Sequence, residues 1–284
     1  MSQHASIATI AGNSTRGIST GERHSTLPGP LSGTVTLTLQ TAFAQRLVLG
    51  RPAELERVGV MGLFVFADLM NTIWHGAAEG DPYGDWWLVR VERALAQTET
   101  ELRRLQSRVA ESLAGFEALS IAPAASVSPV QTALRFTTPQ AFQATQLIAR
   151  CDGIARTVLT ARHTACVPTD DATKALWKTG HAMRRTFATA RHYERTGVTR
   201  SDFIAGTARA TYAIEKMGRM PAGVLSGTLL SEYRPGRHLG LRKVEARESP
   251  RPESIDAIAS EKTVETEPAL DVAQFEDDLS PLFS

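Results

Sequence analysis

A chain of 284 residues, 42% hydrophobic and 21% charged, can bury a core in one domain or two small ones, and no apolar run reaches the ~18 residues of a membrane-spanning helix. The formal charge of +1 hides an asymmetry: from Glu253 to the C-terminus nine acids face Lys262 alone, −8 in all, which leaves +9 on Met1 to Pro252. A basic body with an acidic tail suits a nucleic-acid binder.

Residues 1–32 are rich in Ser, Thr and Gly and close on Pro28, Gly29 and Pro30. They lack the apolar stretch of a secretion signal and read as a disordered tail on a cytoplasmic protein. From Thr34 to Thr41 the residues alternate. Val35, Leu37 and Leu39 point one way, and Thr34, Thr36, Thr38 and Gln40 the other. This predicts a strand with one buried face. Its polar face carries only hydroxyls and an amide, the groups a two-stranded ribbon lays into a DNA major groove, where Gln pairs with adenine and Thr meets a base edge or the thymine methyl. An ordinary edge strand rich in Thr would show the same alternation.

Ala42 to Leu49 predicts two helical turns ending at Gly50, a natural C-terminal cap. Arg46 and Arg51 flank that end as candidate phosphate contacts. A polar link leads to a strongly apolar helix over 58–78, and the turn Glu79 to Asp85 to a long helix from Trp86 to about Gly115. On the latter, Leu88, Val91, Leu95, Thr98, Leu102, Leu105 and Val109 recur at steps of three and four, a coiled-coil-like seam. Trp86 and Trp87 read as core anchors.

After a linker over 123–129, Gln131 to Phe136 alternates again. Leu134 and Phe136 face one way, with Gln131, Ala133 and Arg135 opposite. It leads into a helix beginning at Thr138-Pro139 and running to about Cys166, which Asp152-Gly153 could interrupt. Gln131 and Arg135 are therefore a second set of candidate base contacts. Either strand could be the DNA-reading ribbon, or the two could pair within one chain; the first strand is preferred. Two further helices are predicted, about 170–192 and 199–218, the second with Thr199 and Asp202 spaced as a capping box. Arg184, Arg185, Arg191, Arg195 and Arg200 make this the most basic ordered part, a pattern that a solvated helix face also explains. From Tyr233 onward a basic and then an acidic segment predicts a disordered tail, and "LDVAQFEDDLSPLF" near its end could dock a protein partner.

Signals of catalysis are incomplete. "HAMRRTFAT" (His181 to Thr189) has the His-x-x-Arg spacing of tyrosine recombinases, but no matching upstream Arg box or later Leu-Gly-His accompanies it. His163 and Cys166 offer two metal ligands where a structural zinc needs four. No phosphate-binding glycine loop or Gly-x-Ser-x-Gly elbow occurs. Cys151 and Cys166, placed on one helix about four turns apart, cannot pair there and are expected as buried free thiols. His75 and His181 are expected in the core. No enzyme, metal or cofactor is implied.

The segments "TLTLQTAFAQRLVLGR" (Thr36 to Arg51), "GLFVFADLMNTIW" (Gly62 to Trp74), "DPYGDWWL" (Asp81 to Leu88), "VLTARH" (Val158 to His163) and "GVTRSDF" (Gly197 to Phe203) together resemble the AcaB-like transcriptional regulators of integrating conjugative elements and conjugative plasmids. The resemblance spans roughly Gly33 to Leu229. It implies a cytoplasmic homodimer of ribbon-helix-helix type that binds double-stranded DNA and controls transfer genes. In that arrangement each chain's strand pairs with its twin. The expected protein is thus mostly α-helical with a small β-ribbon: a tail over 1–32, a DNA-binding and dimerisation domain over 33–232, and a basic-then-acidic tail over 233–284. A competing class is a scaffold of a conjugation apparatus, docking partners through the Leu88 to Val109 seam and the acidic tail.

Overall fold

A computed structural model of the protein describes residues 35–53, 58–114 and 120–236. Both expected tails lie outside these residues except for 233–236. The elements in order are β1 (Val35–Leu39), α1 (Ala42–Leu49), α2 (Leu63–Ala78), α3 (Pro82–Leu113), β2 (Val130–Leu134), α4 (Pro139–His163), α5 (Thr169–Ala188), α6 (Arg200–Ala205), α7 (Ala208–Met217) and α8 (Ala222–Leu225). The architecture is a helical body carrying one two-stranded antiparallel sheet.

The caps explain the boundaries. Thr41 accepts the Ala44 N–H through Oγ1 at 3.2 Å and starts α1. Gly50, at φ +69°, ends it, and a Cβ on Gly62 would lie 2.4 Å from the Gly50 nitrogen. The two glycines therefore let the end of α1 touch the start of α2, stitched by reciprocal 2.8 Å backbone bonds between Arg51 and Val60. This is why α2 begins at Leu63 rather than at residue 58. The long helix begins earlier than the sequence pattern implies, because Asp81 caps it by accepting from the Tyr83 N–H at 2.8 Å and Pro82 fits the first helical turn. Thr199 and Asp202 form the expected capping box, but Gly206, left-handed at φ +63°, splits the expected single helix into α6 and α7.

The seam of α3 is spent inside the chain. Leu88, Leu95, Leu102 and Leu105 are buried, and the Thr98 hydroxyl lies 2.6 Å from that of Thr186 on α5, so the polar residue in the seam is satisfied. From Leu88 to Leu102 the seam is covered by the chain itself, while Val109 near its end stays half-exposed. Around the start of α3, Tyr83 and Trp87 are fully buried among Trp86, Tyr193 and Phe203. Trp87 donates from Nε1 to the Arg191 carbonyl at 3.0 Å. The Cys expectation is half right. Cys151 is buried in α4, but Cys166 lies beyond the end of that helix and is only partly covered. His75 is exposed, and His181 is half-buried and stacks on Trp177 with the rings 4.8 Å apart.

The last described residues form a strap across α3. Glu92 accepts from the Ser231 hydroxyl and from the Glu232 and Tyr233 backbone N–H groups. The fully buried Asp85 pairs with Arg200 and Arg234, each at 2.5 Å. Order therefore continues past Tyr233, because two buried or half-buried carboxylates hold this segment.

Two predictions follow from this core. A Cβ on Gly84 would lie 2.5 Å from the Ala77 nitrogen where α2 and α3 meet. Gly84→Ala is expected to cost about 1–3 kcal/mol by overpacking, read as a thermal midpoint several degrees lower. Burial, with Asp81 beside it, pushes the Tyr83 phenol up to about 12, and the same causes raise Tyr193. Both stay protonated in the fold when the unfolded chain, with an ordinary value of ~10, has released its protons. The stability they contribute is complete below pH ~10 and is lost as pH rises towards about 12. Denaturant midpoints are expected to fall over that window, less steeply in Tyr83→Phe, while the tyrosinate absorbance of Tyr83 and Tyr193 appears only with unfolding.

Candidate nucleic-acid interface

The two strands that the sequence offered as rivals are partners. β1 and β2 pair antiparallel, with Thr36 opposite Ala133, Leu37 opposite Thr132 and Thr38 opposite Gln131. The expectation that β1 pairs with a twin from a second chain is corrected by this register: the partner strand lies in the same chain, nearly a hundred residues on. Directly opposed residues project from the same face. Thr36, Thr38, Gln131 and Ala133 thus share one side of the ribbon, and all four are exposed. The opposite side carries Leu37, Leu39 and Leu134, buried at 6%, 2% and 2% exposure. Arg135, one residue beyond β2, is also exposed.

Helix α4 holds this ribbon in place. The Asp152 carboxylate, on a helix otherwise facing the core with Ile148, Cys151 and Ala155, accepts from the Gln40 N–H at 2.9 Å, the Thr41 N–H at 2.9 Å and the Thr41 hydroxyl at 2.6 Å. One buried charge therefore fixes the junction of β1 and α1. One turn along, Arg156 donates from Nε to the Ala124 carbonyl at 2.7 Å, and the Thr160 hydroxyl accepts the Ala124 N–H at 2.9 Å. These bonds seat the linker that leads into β2. Beyond β2, Phe136 packs against Phe64 of α2 and Phe142 of α4, and Thr137 donates to the Asn71 side chain at 3.0 Å.

Gln40 has a different setting from its neighbours. Its Oε1 accepts the Ser126 N–H at 2.9 Å, tying the end of β1 to the linker before β2. It braces the ribbon. Arg46 is half-buried on α1. Arg51 is half-buried in the α1–α2 link, where its Nη2 donates to the Val58 carbonyl at 3.4 Å. The structure thus gathers Thr36, Thr38, Gln131 and Arg135 on or next to one exposed face, and sets Gln40 and Arg51 into its supports. Asp152, Arg156 and Thr160 were not foreseen. The available signal was a lone acid between apolar neighbours in the middle of α4, but its Asp-Gly dipeptide reads locally as a break.

Among the described residues no group of three His, Cys, Asp or Glu side chains could hold a metal ion, and no helix is long and apolar enough to cross a membrane.

Replacing Asp152 with Ala removes three hydrogen bonds to a charged acceptor and leaves two backbone donors without it. A loss of about 3 kcal/mol is expected, since such bonds are worth ~1.5–3 kcal/mol each and do not add fully. Hydrogen exchange checks the location: protection should fall first at the amides of β1 and α1.

Comparison with known proteins gives a family profile and a solved structure. The crystal structure of selenomethionine-containing AcaB from uropathogenic E. coli is similar at 13% identity with a TM-score of 0.47, over 69% of this chain and 95% of that one. No curated protein matches the chain. The family profile described as the transcriptional regulator AcaB matches residues 27–237, a stretch that takes in every described element from β1 to α8. The chain belongs to the AcaB family of transcriptional regulators.

Proposed function

We propose that this protein is a sequence-specific regulator of conjugative-element transfer genes that reads operator DNA with the exposed face of the β1–β2 ribbon. The observation that carries this is the convergence of two separate sequence patterns, Thr-x-Thr and Gln-x-Ala-x-Arg, beside each other on one face of a ribbon whose other face is core. A two-stranded ribbon fits a major groove ~12 Å wide. Gln131 offers a bidentate pairing to adenine, Arg135 to guanine, and Thr36 and Thr38 contact base edges or thymine methyls. No acidic residue stands among these positions to repel phosphate. Arg46 is the candidate phosphate contact, with Arg51 close by in the α1–α2 link.

The chain supplies both strands of its ribbon, so strand pairing by itself no longer requires a second copy. In this reading the homodimer implied by family resemblance forms as two complete ribbons on one operator. Transcription regulation at a promoter places it in the cytoplasm.

The test is an electrophoretic shift on promoters of its own element against random competitor. Gln131→Ala and Arg135→Ala are each expected to weaken specific binding about 5- to 150-fold, the ~1–3 kcal/mol of a bidentate base contact, with little change on random DNA. Arg46→Ala should weaken both alike and flatten the salt dependence. Specific binding untouched by Thr38→Ala, Gln131→Ala and Arg135→Ala together would overturn the ribbon assignment.

A further inference from the structure

Away from the ribbon, a basic groove runs between the C-terminal half of α3 and the helix α5. It comprises two adjoining hollows of about 430 and 300 Å³ that share Leu105, Arg108 and Lys178. Its cations are Arg104, Arg108, Lys174, Lys178 and Arg185, against the carboxylates Glu101 and Asp171. Two of the five are spoken for: Arg185 pairs with Glu101 at 2.6 Å and Lys174 with Asp171 at 3.4 Å. A surplus of three positive charges remains along the walls. Between them the floor is apolar, made by Leu105, Val109, Val158 and Val167, and Trp177 stacked on His181 forms one rim.

We propose that this groove is the docking site for the acidic C-terminal segment of the same chain, Leu270 to Phe283. That segment carries Asp271, Glu276, Asp277 and Asp278 and no base, matching the surplus on the walls. Among its acids stand Val272, Phe275 and Leu279, spaced three and four apart as anchors for an apolar floor. The described chain ends at Gly236, and the intervening residues 237–269 give a contour of about 110 Å, ample to reach any face of a body this size. Charge sets the approach and the apolar side chains set the register. The chain thereby covers this basic groove and keeps it from gathering nucleic acid without regard to sequence.

The lysine distribution makes this directly testable. The whole chain has five lysines; Lys174 and Lys178 lie in the groove, whereas the exposed Lys216 lies on α7 and serves as an internal control. Carbodiimide coupling of the full-length protein at low concentration joins a carboxylate to a lysine amine only where the two touch. Peptide mapping of the monomer band is expected to show Glu276, Asp277 or Asp278 joined to Lys174 or Lys178 at least tenfold more often than to Lys216. Phe275→Ser with Leu279→Ser, which alters no groove residue, should bring the two yields together, as should high salt. Equal yields in the unaltered protein would overturn the proposal, and so would links confined to the dimer band, which would assign the groove to a second copy. Links that persist in the Phe275→Ser, Leu279→Ser variant would overturn the apolar half of the fit.

Discussion

The fold turns on a single buried carboxylate. Asp152 sits in mid-helix, nearly dry, where an unpaired charge would be very costly, and three donors from the β1–α1 junction make it tolerable. The dependence runs both ways. An isolated two-stranded ribbon is marginal in water, so β1 and β2 need a rigid body to hold them at a fixed tilt. The same helix supplies that body through Asp152 on one strand and through Arg156 and Thr160 on the approach to the other. The exposed face of the ribbon is therefore a property of α4 as much as of the strands. The base readout proposed for this face would need such a support, because a contact misplaced by a fraction of an ångström loses its hydrogen-bond geometry.

Much of this was legible beforehand because it is local. Alternation gave both strands and their faces, Gly50 gave the end of α1, and the Thr199–Asp202 spacing gave the start of α6. The pairing was not legible. Each strand alone has the same apolar-in, polar-out pattern, and nothing local says whether its partner lies in its own chain or a twin. Where the reading failed, tertiary structure had overridden a local signal. Asp152-Gly153 looks like a turn, but core packing on both sides keeps α4 continuous and turns the acid to use. Gly206 looks tolerable inside a helix, yet it takes the left-handed form that divides α6 from α7. The α3 seam was read rightly as a helix-packing face, and its partners are the chain's own α4 and α5.

Carboxylates recur as the devices that organise distant chain segments. Asp81 starts α3 and receives the Tyr193 hydroxyl at 3.0 Å. Asp85 gathers Arg200 and Arg234. Glu92 fastens the C-terminal strap and also accepts from the Gln140 amide at 3.0 Å. All three lie on or at the head of α3, and Asp152 does the same from α4. The helical body is built as two central helices whose few buried or half-buried acids reach outward to fix the peripheral pieces, while apolar packing supplies the bulk of the stability. Such an arrangement specifies geometry more than it adds free energy.

The intrachain register of the ribbon also bears on the kind of DNA site that the proposed readout would select. Two identical strands related by a two-fold axis impose that axis on their target, and their operators are inverted repeats. Here Thr36 and Thr38 stand opposite Ala133 and Gln131, so the exposed face has no symmetry of its own. A substitution in one strand changes one half of the face and leaves the other as it was. On the proposed readout, the sequence met by a single ribbon is free of palindromy, and its two halves can drift separately.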